Sequence, residues 1–164
     1  MKAALYAASA IGVTVHVVGG VKLTSEYRNG NYEASGYDAW MTPPHLLEEL
    51  VKEFGELFDP CPIDYDGSFD GLEISWDRDK TCFVNPPYSE IAQWTEKCYK
   101  EWLNGSQIVL LIQTRTCTRY FHSFVNNYAE VQFIKGRLKF FHPDGSKSKS
   151  APFPSILCIY RRRS

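Results

Sequence analysis

At 164 residues, 44% of them hydrophobic, the chain is long enough for one domain with a core of its own. A formal net charge of −1 argues against an indiscriminate binder of nucleic acid. Five scattered cysteines without a C-x-x-C pair indicate neither a zinc site nor a disulfide framework, and point to a reducing, cytoplasmic compartment. The neutral total hides an asymmetry. Residues 1–82 carry six Lys/Arg against fourteen Asp/Glu, and residues 83–164 carry twelve against five. A basic half of that kind can mark a face for polyanions.

The first twenty residues are rich in Ala, Val and Ile and look like the apolar region of a signal peptide. His16 and sparse upstream charge weigh against that reading, and residues 22–38 are polar. Residues 1–38 are therefore expected to be a poorly ordered leader before a single domain over 39–164. In that domain, Thr42 and Pro43 open a helix whose apolar positions are Leu46, Leu47, Leu50, Val51 and Phe54. Gly55 ends it. A short strand over 56–58 runs into Asp59, and residues 63–80 form an acidic loop anchored by Trp76. A buried strand over 81–84 precedes Asn85. Ser89 caps a helix over 90–103 with Ile91, Trp94, Cys98 and Trp102 on one face. Further strands are expected over 107–113, 130–134, 137–141 and 155–160, with a short helix near 120–126. Pro143-Asp144-Gly145 reads as a hairpin turn, and Arg161 to Arg163 as a solvated tail. The alternation predicts an α/β sheet, mostly parallel with an antiparallel C-terminal hairpin.

Asn85-Pro86-Pro87-Tyr88 is the most informative segment. It lies where a strand gives way to a helix, the edge at which open α/β sheets bind ligands. An asparagine amide offers an acceptor and two donors in one plane. Two prolines withhold backbone donors and fix the path, and a tyrosine ring supplies a stacking face. The set suits a planar heterocycle with an exocyclic amino group, such as adenine or cytosine. Asp59 ends the preceding strand. It can bind a ribose hydroxyl or an ammonium, or simply close an Asx turn before Pro60. If the two strands are neighbours, Asp59 and Asn85 share one cleft.

From about residue 40 to 160 the chain resembles the phage-type (Dam-like) DNA N-6-adenine methyltransferases. The likeness is carried by Trp40-Met41-Thr42-Pro43, Phe58-Asp59-Pro60-Cys61, Asp70-Gly71-Leu72 with Trp76, and Asn85-Pro86-Pro87-Tyr88-Ser89 with Trp94. It continues in Thr114-Arg115-Thr116 with Thr118, Phe121-His122, residues 134–140 and Ala151-Pro152. The resemblance implies a compact Rossmann-like S-adenosylmethionine-dependent methyltransferase acting on adenine in DNA, in a phage or prophage setting. It places Trp40, Thr42, Pro43, Asp59, Pro60 and Cys61 at the cofactor. Asp70 is one of four acids, with Asp64, Asp66 and Asp77, available to the ribose. Asn85, Pro86, Pro87 and Tyr88 would hold the target base. The chain departs from the wider class in reading Pro-Cys-Pro where a Gly-rich turn is usual, so a strand–helix unit looks shrunken.

The same reading assigns phosphate contacts to Arg115, Arg119, Arg137, Lys139, Lys147 and Lys149. Arg137 and Lys139 would share one strand face. DNA is the expected partner; no metal, membrane or obligate protein partner is expected. The alternatives are methylation of RNA or of a protein glutamine, whose nitrogens Asn85 also suits, and a degenerate DNA-binding decoy.

Overall fold

In the computed structural model, which describes residues 4–6, 15–17, 41–62, 67, 69–140 and 150–163, the two most apolar runs lie side by side at the centre of one sheet. Two short strands, β1 (Ala4–Tyr6) and β2 (Val15–Val17), pair antiparallel within the stretch read as a leader. Helix α1 (Pro44–Phe54) leads into β3 (Leu57–Phe58), and an irregular connection leads to β4 (Thr81–Val84). A single 3-10 turn (Tyr88–Glu90) opens α2 (Ile91–Leu103), followed by β5 (Gln107–Gln113). A π-helical turn (Phe121–Val125), β6 (Glu130–Phe133) and β7 (Ser155–Tyr160) complete the domain.

The sheet order is β3-β4-β5-β7-β6. β3, β4 and β5 pair in parallel, whereas β7 is antiparallel to both β5 and β6. This corrects the expectation of a mostly parallel sheet. The last strand is inserted between β5 and β6 instead of being added at an edge. One reversed strand in that position makes two of the four pairings antiparallel, although β3 to β6 all run the same way. Residues 137–140, expected as a strand, form none. The Leu138 carbonyl instead accepts from the Ala151 N–H at 2.8 Å, which ties the segment to the chain before β7. Their alternation survives without a ladder: Leu138 and Phe140 are buried, Arg137 and Lys139 are exposed. The turn expected at 143–145 lies outside the described residues.

Each face of the sheet is covered as the apolar pattern requires. Ile108, Leu110 and Ile112 of β5 pack with Cys82 and Val84 against Ile91, Trp94 and Cys98 of α2. Val109 and Leu111 face the other way, with Phe83, Leu157 and Ile159, against Leu46 and Leu50 of α1. Period-two strands meeting period-3.6 helices account for both layers. Neither helix has a side-chain N-cap. Pro43 occupies the cap position of α1, and Glu90 that of α2. Thr42 and Ser89, expected as caps, are thus displaced by one residue from that role. Cys82, Cys98 and Cys158 are buried core residues, as read.

The connection between β3 and β4 is held by a buried polar node. Glu101 of α2 is 3% exposed; it accepts from the Trp76 backbone N–H at 3.2 Å and pairs with Lys97 at 2.7 Å. Lys97 also donates to the Ile74 carbonyl at 2.7 Å. Trp76 stacks on Trp94 with ring centroids 6.3 Å apart. Removing one partner strands the other charge in the interior. Glu101→Ala is expected to lower unfolding free energy by about 3 kcal/mol in urea denaturation followed by tryptophan fluorescence; a loss below about 1 kcal/mol would show that the node is dispensable.

Candidate active site

Parallel pairing of β3 with β4 brings Asp59 and Asn85 to the same sheet edge, because each directly follows the carboxyl end of its strand. The segments after β5 and β6, and the one before the reversed β7, arrive at this edge too. Segments distant in sequence, 59–61, 85–88, 114–119, 134–140 and 150–154, therefore leave or enter the sheet at one edge.

On the β4 side, the Asn85 Nδ2 donates to Thr42 Oγ1 at 3.1 Å. The bond fixes the orientation of the amide, with its NH2 end toward Thr42 and its carbonyl end turned the other way. Thr42, expected at the cofactor, is thereby placed against Asn85, expected at the base. Pro43 and Pro86 are buried. Pro87 precedes the 3-10 turn, and its carbonyl accepts from the Glu90 N–H at 3.0 Å. Tyr88 is half-buried, packed on the α2-side core. Burial pushes its phenol up to about 12, so the ring is neutral at any physiological pH.

On the β3 side, Asp59 Oδ1 accepts from the Cys61 N–H at 2.8 Å, closing the Asx turn that was its structural reading. Burial nonetheless pushes the Asp59 carboxyl up to about 7, with the Cys61 N–H pulling the other way. The Cys61 thiol is held well above its usual range by burial, and Asp59, Glu90 and Asp70 add their negative charge. Of these, Asp59 touches Cys61, through the bond to its backbone N–H. Asp70 is brought there by the next residue. A Cβ on Gly71 would lie 1.9 Å from the Pro60 carbonyl oxygen, so only glycine permits this approach. The Gly71 carbonyl accepts from Trp76 Nε1 at 2.7 Å. Asp77 is placed elsewhere: it caps the turn that enters β4, at the opposite sheet edge. Asp70 is exposed and closes a turn of its own, its Oδ1 accepting from the Leu72 N–H at 2.8 Å. Trp40, Asp64 and Asp66 lie outside the described residues.

The basic residues split between the two edges. Arg115 is exposed just beyond β5, its guanidinium 4.5 Å from the Phe153 ring centroid. Arg137 donates to the Ala151 carbonyl at 3.4 Å, so both arginines border the 151–153 segment. Arg119 and Lys139 are exposed nearby in the chain, and Lys147 and Lys149 lie outside the described residues. Arg161, read as part of a solvated tail, instead pairs with Glu130 at 2.9 Å and lies near Glu53, at the far edge.

Two residues were not singled out from sequence. Glu90 sits in the 3-10 turn and accepts from Trp94 Nε1 at 3.1 Å; an acid three residues after Pro87 was a signal in plain view. Gln113 ends β5, where a polar residue closes an otherwise apolar run. No group of His, Cys, Asp and Glu among the described residues could hold a metal ion.

An α/β domain with a carboxyl-edge cleft, acidic on one side and amide-bearing on the other, is what the fold defines. The chain belongs to the DNA N-6-adenine-methyltransferase (Dam) family, whose model matches residues 29–164. It is also similar to the DNA N-6-adenine-methyltransferase of Escherichia phage T1, at 25% identity over 121 residues, 68% of this chain and 51% of that protein. The chain thus spans about half the length of that relative.

The raised Asp59 carboxyl has a pH signature. Its ordinary value is 3.8, against about 7 in the fold, so the folded protein keeps a proton that the unfolded chain releases. Its contribution to stability is full below about pH 4 and is lost as pH rises through about 7. Urea denaturation is expected to show the stability of the native protein falling relative to Asp59→Asn across that window. A difference independent of pH would contradict the assignment.

Proposed function

We propose that this protein is a DNA adenine methyltransferase that uses S-adenosylmethionine and methylates the exocyclic amino group of an adenine extruded from the duplex. The fold is read as a compact Rossmann-like methyltransferase sheet, with no helix among the described residues of the crossover between β3 and β4. The observation that carries the proposal is the convergence of Asp59, Asp70, Asn85 and Arg115 on one sheet edge.

The acidic side of the cleft fits the cofactor by charge. S-adenosylmethionine carries an ammonium and a sulfonium, and Asp59, Asp70 and Glu90 all add negative charge at the Cys61 thiol beside the β3 end. Asp59 would hold the cationic part, Asp70 the ribose, and Pro60 and Cys61 the wall between them. When bound, the cofactor supplies an activated methyl group.

The β4 side fits the base. A stacked adenine cannot present its amino group in line with a methyl donor, so it must leave the helix, at a cost of a few kcal/mol. Stacking on the neutral Tyr88 ring and hydrogen bonds at Asn85 offset that cost. The Asn85 side-chain carbonyl and the Pro86 backbone carbonyl accept the two amino protons, which raises lone-pair density on the nitrogen and aims it across the cleft. Thr42 holds the amide in that orientation. Rate enhancement then comes from alignment and preorganised dipoles, without a strong general base.

Arg115, Arg119, Arg137 and Lys139 supply the phosphate contacts beside the cleft. Positioning by phosphates falls to such side chains and carries no sequence information.

Asn85→Ala is expected to reduce methyl transfer by about 100-fold or more, the scale set by removal of one preorganised hydrogen-bonding group. The melting temperature and cofactor binding by calorimetry should stay near native. Retained activity would remove Asn85 from the mechanism. Arg115→Ala is expected to weaken DNA binding and to lower the slope of log affinity against log salt by about one; an unchanged slope would place Arg115 outside the interface.

A further inference from the structure

Gln113 closes β5 with a side chain that the ligand-free fold leaves incomplete. The residue is 4% exposed, and its Oε1 has no hydrogen-bond partner. A buried acceptor without a donor has lost its water without a replacement partner, which destabilises the fold. The next residue repeats the pattern: Thr114 Oγ1 is also buried and unpartnered. Ser106 Oγ, the other such atom among the described residues, lies at the opposite edge of the sheet.

The strand register places Gln113 beside the base-holding residue. Val84 pairs with Leu110. Continuing that ladder by one residue sets Asn85 beside Leu111, and Gln113 one pleat further on. Side chains alternate along a strand, so Gln113 shares the face of Val109 and Leu111, which is also that of Phe83 and Asn85. Neighbouring strands are about 4.8 Å apart and two residues advance about 6.6 Å, which puts the two Cα atoms about 8 Å from each other. Two side chains at that spacing on one face can both reach a single planar base. Asp59 follows β3, two strands away and therefore about 10 Å to the side. Gln113 thus belongs to the base side of the cleft and not to its acidic side.

We propose that Gln113 is a specificity-determining residue that pairs with the target adenine through its side-chain amide. The inference rests on the reading of the cleft as an adenine site. Oε1 accepts an amino proton, shared with the Pro86 carbonyl, and Nε2 donates to the ring nitrogen beside the amino group. An amide is complementary to that adenine pair of groups and mismatched to guanine, whose O6 would face Oε1. The fold tolerates an unsatisfied acceptor in the free protein because the base satisfies it.

The experiment compares methyl transfer to DNA made with adenine, with 1-deazaadenine and with 7-deazaadenine throughout, by the native protein, Gln113→Leu and Gln113→Glu. A lost amide–base bond is worth roughly 5- to 150-fold. The native protein is expected to lose at least about fivefold on one of the two analogues, and which one identifies the ring nitrogen that is read. In Gln113→Leu that penalty should shrink to within about twofold of unity, while the ligand-free protein melts no lower than native because the orphan acceptor is gone. Gln113→Glu keeps the shape but loses the donor, and gives the same comparison if the leucine variant does not fold. An undiminished analogue penalty in the variants, or no penalty in the native protein, would overturn the proposal while leaving the adenine reading intact. Absence of transfer to any DNA would overturn that reading and this proposal together.

Discussion

The parallel pairing of β3 with β4 is the constraint on which the cleft depends. Parallel neighbours need a crossover of a dozen or more residues, and usually a helix provides it. Here residues 59–80 make the crossing, and those described contain no helix. Its backbone makes one turn, in which the Glu73 and Ile74 N–H groups donate to the Asp70 carbonyl, and side chains fix it to the domain: Trp76 against Trp94, the Gly71 carbonyl on Trp76 Nε1, and Glu101 and Lys97 beneath. The same side chains press Gly71 onto Pro60 and so set the backbone that carries Asp59 and Cys61. Packing in the α2-side core and the geometry of the acidic side of the cleft are one problem solved once.

Charge is arranged along the edge in a way that the net value conceals. The acidic groups gather beside β3, around Cys61. The cationic groups that border residues 151–153 lie beyond β5, on the other side of Asn85. Under the proposed function, a small cationic cofactor and a polyanionic substrate would find opposite ends of this edge, with the amide between them. Arg161 is held at the far edge by Glu130.

Much of this was legible from the residues because local rules and tertiary demands agree. The runs 81–84, 107–113 and 155–160 are apolar enough to be buried on both faces, and the helices at 44–54 and 91–103 show their faces plainly. Strand order was not legible. Nothing local to residues 155–160 says that they insert between β5 and β6, and that insertion turned a mostly parallel expectation into a mixed sheet. Thr42 looked like a cap because its helix context is complete without reference to Asn85, 43 positions away. Gln113 went unremarked because a polar residue at a strand end is ordinary; only its burial and unpaired oxygen give it meaning.

The central claim is that this edge brings a methyl donor to the amino group of a single extruded adenine. It is tested most directly by incubating the protein with S-adenosylmethionine labelled in its methyl group, in the presence of DNA, RNA and protein together, then digesting each and identifying the labelled product. The account predicts label in N6-methyladenine from the DNA alone. Label in RNA or in protein glutamine, or none in any of them, would contradict it.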